Sequence, residues 1–305
     1  MKPIISIIIP CYNSDKFIAH TIESVLANTS DLFDIEVIAI NDGSTDLTLQ
    51  ILQKYSDKIV IIDKCNGGAC RARNAGIRAS NGNFIAFCDH DDLWEPNKLE
   101  LQLAQFNNSM VGLVCSDADT FNDDGVLIRS MAKMRPLKNG MVFYDLLFSN
   151  FIVQSSVIVK REVFEDVGLF DDEIFPAEDL ELWLRITYKW HINYVDKVLV
   201  HYRISNTMYS KDKYRMQNAR IPIIKKYSML VPDESKQNKI MSNAIYAYAL
   251  DCWYNRDFEL ARGKFRESFA LDRTHIISAV YCFLCFLPAS FLHVLLAVKK
   301  VCAPK

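Results

Sequence analysis

The first hundred residues alternate two patterns. Short, uninterrupted apolar runs are followed by stretches whose apolar positions recur every three or four residues. Residues 4–9 form a β-branched run closed by Pro10, and Phe17, Ile18, Ile22, Val25 and Leu26 then share one helical face within residues 14–28. A second apolar run at 35–40 ends in the turn cluster Asn41-Asp42-Gly43-Ser44, and a helix is expected to about residue 56. Residues 58–62 predict a third strand, 69–79 a helix that Gly82 ends, and 83–88 a fourth strand. Pro96 is placed to open the next helix, since a first helical position needs no N–H. Continuously apolar strands alternating with helices predict an α/β fold, a Rossmann-like, mostly parallel sheet flanked by helices.

Further along, strand signals at 111–116, 155–159 and 192–200 flank Pro176-Ala177-Glu178-Asp179, which opens a helix carrying Leu180, Leu182, Trp183, Leu184 and Ile186. From about residue 211 the pattern is helical, and residues 242–271 read as a two-helix hairpin. The expected division is an α/β domain over 1–210, a helical extension over 211–273 and an apolar tail over 274–305.

Residues 276–298 contain no Lys, Arg, Asp or Glu, a length sufficient to span a bilayer. Pro288, Ser290 and His293 interrupt this stretch and Lys299 and Lys300 close it. A single span, a re-entrant or interfacial contact and a buried pair of helices all fit, with the interfacial contact favoured. The flanking lysines agree with a cytoplasmic face.

Charge narrows the functional classes. The 305 residues hold 35 Lys and Arg against 37 Asp and Glu, so there is no basic excess of the kind a nucleic-acid binder carries. The opening MKPIISIIIPCYN lacks the layout of a signal peptide, and nine scattered cysteines fit a reducing cytoplasm.

The polar residues at the carboxyl ends of the predicted strands are Tyr12 and Asn13, Asp42, and then Asp89-His90-Asp91-Asp92. Open α/β sheets bind ligands at that edge. Three carboxylates within four residues repel one another, and a hard divalent cation with oxygen ligands removes that cost. A solvated acidic turn ahead of a helix accounts for the spacing equally well; the strand directly before the cluster favours a metal site.

Five segments in order then resemble one family: Ile-Ile-Ile-Pro10-Cys-Tyr12-Asn13; Asn41-Asp42-Gly43-Ser44-Thr45-Asp46; Ala72-Arg73-Asn74-Ala75-Gly76; Phe87-Cys88-Asp89-His90-Asp91-Asp92; and Glu178-Asp179. Over about residues 1–205 the chain resembles the family 2 glycosyltransferases with a GT-A fold. The resemblance implies a nucleotide-sugar donor, a UDP-sugar foremost, a divalent Mn2+ or Mg2+, and inversion at the anomeric carbon. It places Pro10 and Tyr12 around the base and ribose, Asp42 as an acceptor from the base, and Arg73 close to the nucleotide. Asp89 and Asp91 match the family's D-x-D element, the first nearer the ribose and the second on the metal, with Asp92 in support. Asp179 matches the general base, with Glu178 beside it. At the helix start, the dipole is expected to stabilise the Asp179 anion and weaken it as a base. Tyr202-Arg203 matches a Y-R element, with Arg203 facing the diphosphate. Ser205 stands where a histidine often follows, which leaves His201 as the remaining candidate for a non-aspartate metal ligand.

The first strand lacks the GxGxxG of dinucleotide enzymes. A nucleotidyltransferase normally begins with a Gly-rich phosphate loop, and Gly67-Gly68 is followed by no GK[ST]. A decayed, non-catalytic nucleotide-sugar-binding or scaffolding protein is the non-enzyme alternative; the intact acidic groups oppose it. Processive members of the family carry Q-x-x-R-W, absent here, so transfer of one sugar is expected. The acceptor is a saccharide or lipid-linked hydroxyl in cell-surface polysaccharide or lipopolysaccharide biosynthesis, at the inner face of the cytoplasmic membrane. Residues 120–155, with Phe143, Tyr144 and Asn150, are expected to shape the acceptor pocket. Oligomerisation is left open.

Overall fold

The computed structural model describes residues 2–122, 127–204 and 213–287. The chain divides into two compact units, Met1–Thr207 and Met208–Lys305.

The first unit is a nine-stranded mixed sheet. β1 (Ile4–Cys11) pairs in parallel with β2 (Asp34–Asp42) on one side and β4 (Phe84–Phe87) on the other, and β2 pairs in parallel with β3 (Val60–Lys64). Ile5, Ile7, Ile8 and Ile9 have no exposed surface, because β1 is central and covered on both faces. α1 (Ile18–Leu26), α2 (Thr48–Gln53) and α3 (Ala69–Ala79) make the connections. α3 lies so close to the sheet that a Cβ on Gly76 would stand 2.6 Å from Ile8 Cγ2 and 2.8 Å from Ile40 Cδ1. Only glycine fits there.

Beyond β4 the sheet changes direction. β8 (Ile158–Lys160) pairs antiparallel with β4 and with β6 (Val111–Phe121). β6 then runs parallel to β9 (His191–Arg203), while β7 (Leu127–Ser130) and β5 (Leu93–Trp94) add antiparallel edges to β6 and β9. The long ladders are parallel, as the sequence pattern predicts.

Two local expectations need correction. β6 and β9 extend beyond their apolar runs, and their ladder continues past register shifts at Ser116 to Ala118 as far as Phe121 and Arg203. Pro96 does not open the next helix; α4 (Lys98–Leu103) starts two residues later. Glu95 N still donates to Leu199 O at 3.1 Å, so the chain is held at the sheet edge and turns through Pro96-Asn97 first.

α5 (Phe143–Phe148), α6 (Arg161–Val167) and α7 (Glu178–Lys189) complete this unit. Trp183 in α7 and Trp94 in β5 are buried core residues and not sugar platforms. Ala177, just before α7, holds φ 85° and ψ 22°, a left-handed conformation that costs an alanine about 1–2 kcal/mol.

The second unit is helical: α8 (Lys213–Ser228), α9 (Glu234–Tyr254), α10 (Phe258–Leu271) and α11 (Ile276–Leu284). Asp233 and Asp257 cap α9 and α10, accepting from Lys236 N and Leu260 N. The core is aromatic. Phe265 stacks on Tyr281 at 5.1 Å, and Trp253 meets Tyr281 edge-on at 5.3 Å. A buried chain of hydroxyls joins three helices, with Ser242 Oγ and Ser278 Oγ each 2.9 Å from Ser268 Oγ.

Candidate active site

The carboxyl ends of β1, β2 and β4 deliver the residues that the sequence singles out. At the end of β1, Pro10 is buried, Tyr12 is exposed and Asn13 takes a left-handed φ of 48° that asparagine tolerates. Asn13 Oδ1 accepts from Thr45 N at 2.8 Å, and Asn13 N donates to Ser44 Oγ at 3.1 Å. The β1 and β2 loops are therefore stitched together. Asp42, at the end of β2, is buried and accepts from Gly67 N at 3.0 Å, Gly68 N at 2.7 Å and Lys64 Nζ. Gly67 and Gly68 thus act as backbone donors to this carboxylate, and a carboxylate offering about four lone-pair directions keeps capacity for one more donor.

The acidic cluster follows β4, and its three carboxylates sit in three different environments. Asp92 has no exposure; Oδ2 accepts from Ser155 Oγ at 2.5 Å and Oδ1 from Arg203 N at 3.0 Å. Burial and the neighbouring Asp91 and Asp89 push its carboxyl well above the usual range. Ser155 Oγ also accepts from Asp89 N at 2.9 Å, so one hydroxyl sets the loop. Thr21 of α1 pins it from the other side by donating to His90 O and Asp92 O, each at 2.9 Å. Asp89 Oδ1 accepts from Arg73 Nη2 at 2.8 Å. Asp91 is half-buried, and among the described residues only its own backbone amide bonds its carboxylate. Burial and Asp89 raise its pKa against the opposing pull of His90 and Arg203.

Arg73 is the hinge of the arrangement. It is buried in α3, and its Nη1 donates to Glu178 Oε1 at 2.9 Å while Nη2 holds Asp89. One guanidinium therefore joins the end of β4 to the start of α7. Glu178 is committed to that pair. The neighbouring Asp179 is half-buried and receives Asn150 Nδ2 at 3.2 Å. Burial, then the Glu178 charge, push its pKa up to about 6, despite the Leu180 amide, Arg73 and Asn150. Asp179 sits in the first turn of α7, where the helix dipole favours the anion, and burial still raises its pKa.

Arg203, at the end of β9, lies between the Phe17 and Phe121 rings, 4.3 Å from each centroid, and its Nε donates to Asp91 O at 3.1 Å. His201 does not offer a nitrogen to the cluster. Its Nδ1 lies 2.6 Å from Asp119 Oδ1 and its Nε2 2.9 Å from Glu95 Oε1. Burial works against its charged form, but the Glu95 and Asp119 carboxylates outweigh burial and raise the pKa. Ser205 lies outside the described residues.

Among the described residues, no three His, Cys, Asp or Glu side chains converge as a metal site. The donor set nonetheless fits a divalent cation that shares its ligands with a phosphate. Asp91 has a carboxylate with no side-chain donor among the described residues, Asp89 stands beside it, both are hard oxygen donors, and Mg2+-type ions are held by one or two carboxylates plus substrate phosphates.

Ser155, Thr21 and Asn150 complete the site without a motif of their own. Ser155 belongs to a 3-10 turn, Gln154–Ser156, and reaches the cluster only through the β4–β8–β6 packing.

A mostly parallel sheet with this carboxylate edge defines a GT-A-type glycosyltransferase. The comparisons agree: the sequence profile of Glycosyl transferase family 2 matches residues 6–168, and the chain belongs to that family. It is 32% identical over 208 residues to the uncharacterized glycosyltransferase RP339 of Rickettsia prowazekii, covering 67% of this chain and 64% of that one. The chain thus spans slightly less than two thirds of that relative's length. It is 30% identical over 220 residues to the putative teichuronic acid biosynthesis glycosyltransferase TuaG of Bacillus subtilis, covering 70% and 84%. It is 27% identical over 219 residues to WfgD of Escherichia coli, a UDP-Glc:alpha-D-GlcNAc-diphosphoundecaprenol beta-1,3-glucosyltransferase, covering 70% and 81%. In fold it resembles residues 1–349 of S. aureus TarS in complex with UDP-GlcNAc, with a TM-score of 0.65, 19% identity and coverage of 89% and 81%. It also resembles the mannosyltransferase PcManGT of Pyrobaculum calidifontis in complex with GDP-Man and Mn2+, with a TM-score of 0.62, 16% identity and coverage of 100% and 89%.

Proposed function

We propose that this glycosyltransferase moves one sugar, with inversion, from a nucleoside-diphosphate sugar, UDP-linked, to a hydroxyl of a saccharide or lipid-linked acceptor. The observation that carries the reading is the separation of two adjacent carboxylates: Glu178 is held by Arg73, while Asp179 stays half-buried with a raised pKa. A base needs to be deprotonated at working pH yet basic enough to take a proton, and Asp179 meets both conditions. Asp179 removes the acceptor hydroxyl proton as the acceptor oxygen bonds to the anomeric carbon. The bond from that carbon to the diphosphate oxygen breaks, and the nucleoside diphosphate leaves on the opposite face.

Pro10, Tyr12 and Asp42 receive the nucleoside at the ends of β1 and β2. Asp91, with Asp89, would hold a Mn2+ or Mg2+, which when bound supplies charge neutralisation at the leaving diphosphate. Asp92 and Ser155 fix the loop that presents those carboxylates, and Arg203 steadies it from β9. Asn150, beside Asp179, orients the base on the acceptor side. Residues 1–210 carry this chemistry, with the rest of the chain, 211–273 and 274–305, appended to it.

The acceptor class draws on the relatives. WfgD acts on a diphosphoundecaprenol-linked sugar and TuaG is assigned to teichuronic acid biosynthesis, so an envelope-polysaccharide precursor at the inner face of the cytoplasmic membrane is the acceptor to try first.

The test is a screen of nucleotide-sugars for metal-dependent binding and transfer. Asp91→Asn is expected to abolish metal-linked donor binding, and Asp179→Asn to leave donor binding intact and stop transfer. Full activity of Asp91→Asn would remove the metal assignment, and normal turnover of Asp179→Asn would remove the base. Binding of a nucleotide-sugar with no transfer to any acceptor would favour a non-catalytic binding protein, and transfer of a nucleotidyl group a nucleotidyltransferase.

A further inference from the structure

α11 turns one face into the helical unit and leaves the other to solvent. On the inner face, Ser278 is fully buried in the hydroxyl chain with Ser268 and Ser242, and Tyr281 stacks on Phe265. On the outer face Ile276, Ile277, Val280 and Phe283, together with Phe286 in the following turn, are 50% to 71% exposed. These positions recur at helical spacing, so the apolar surface is continuous. A helix of nine residues with one face bonded into its own unit does not cross a bilayer, and no described helix is long and apolar enough to do so.

Charge selects what covers this face. Residues 208–305 contain 16 Lys and Arg against 8 Asp and Glu, whereas residues 1–207 contain 19 against 29. The excess of basic residues is therefore confined to the unit that bears the apolar face. Arg262 places its guanidinium 4.9 Å from the exposed Phe286 ring, and Arg273 lies just before α11 against Phe269. In sequence the uncharged stretch runs on to residue 298, outside the described residues, and closes with Lys299 and Lys300. Two such basic units would repel each other, while an anionic leaflet meets both features at once.

We propose that the outer face of α11 lies in the plane of an anionic lipid bilayer, with Ile276, Val280, Phe283 and Phe286 entering the headgroup–acyl boundary and Arg262 and Arg273 at the phosphates. The inference is independent of the donor and base assignments, since it concerns the helical unit alone.

The test uses the full-length protein in vesicle flotation. Partition onto phosphatidylcholine–phosphatidylglycerol vesicles is expected, weakening at high salt, with little onto phosphatidylcholine alone. Phe283→Ser combined with Phe286→Ser should lower partition at least about tenfold without a change in thermal melting, because both side chains are exposed. Arg262→Glu, which leaves the apolar face intact, should weaken binding to the anionic vesicles only. Equal partition of these variants and the parent would overturn the proposal, as would failure of the parent to float. A parent that self-associates in sedimentation velocity and ignores vesicles would instead make the face a contact between copies.

Discussion

The two units bury opposite kinds of group. In residues 1–207 the interior includes Asp42, Arg73, Asp92, Lys98, Glu178 and Arg203. In residues 208–305 the described core mixes aliphatic side chains such as Ile224, Ile240 and Ile245 with Trp253 and Phe265, and serine hydroxyls are its buried polar groups. Burying a charge is costly unless it is paired, whereas burying an aromatic ring is directly favourable. The first unit therefore carries charges whose pairing is set by geometry, and its function is expected to depend on pH. The second is held mainly by packing, with no acidic or basic side chain buried among its described residues.

The largest expected effect lies in the first unit. Asp179→Asn should reduce turnover by ~10²–10⁴ and leave the melting temperature close to that of the parent, as measured by calorimetry alongside steady-state transfer. A fall in stability of the same order as the fall in activity would show that the carboxylate is structural.

Next come two substitutions of similar size and different character. Arg73→Ala leaves the buried Glu178 and the half-buried Asp89 without their shared cation and should cost about 3 kcal/mol in denaturant unfolding, with transfer lost as well. Phe265→Ala empties the centre of the aromatic cluster and should also cost about 3–5 kcal/mol, but equally at acid and alkaline pH, and without altering donor binding. A pH-dependent loss for Phe265→Ala would break the contrast between the units.

Lys98 sharpens it further. The side chain has no exposure, its Nζ has no hydrogen-bond partner among the described residues, and it sits 3.8 Å from the Trp94 ring centroid. Burial depresses its pKa to about 7. Between that value and the ordinary range of a free lysine, the unfolded chain binds the extra proton, so raising the pH through this window stabilises the folded protein. Lys98→Met should remove that slope and gain stability mainly below about pH 7, by an amount on the order of a few kcal/mol. Urea titrations at several pH values measure it, and an unchanged slope would place the ammonium in contact with water.

The smallest effect concerns Asn150. Its amide donates to Asp179 and lowers the pKa that burial has raised. Asp179 accepts a proton only when ionised, so transfer falls as pH drops through about 6. Asn150→Ala should move that acid limb upward by a fraction of a pH unit in kcat/KM, leaving donor affinity intact. An unmoved limb would show that Asn150 serves the acceptor and not the base.

Much of this was legible in the chain, and the reason is local. Strands β1 to β4 are apolar runs closed by polar residues, so Asp42 and the Asp89 to Asp92 cluster announce themselves where the backbone must leave the sheet. The partnership of Arg73 with Glu178 was not legible, because 105 positions separate them and nothing in either segment requires the other. Ser155 was equally silent: a serine in a mixed segment gains its role only once β8 lies antiparallel to β4. The sequence around His201 does not reveal Asp119 and Glu95, which lie on either side of its ring. The division of labour within the acidic cluster also came from three dimensions, since the three carboxylates are neighbours in sequence and differ only in what surrounds them.

The hydroxyl chain of Ser242, Ser268 and Ser278, continued by His275 Nδ1 at 2.7 Å from Ser278 Oγ, ties α9, α10 and α11 together. Ser242 Oγ and Ser268 Oγ also reach each other's backbone carbonyls, at 2.9 and 2.8 Å, so the α9–α10 link is doubled while α11 hangs on Ser278 alone. Amide exchange is therefore expected to release α11 before it releases the α9–α10 pair.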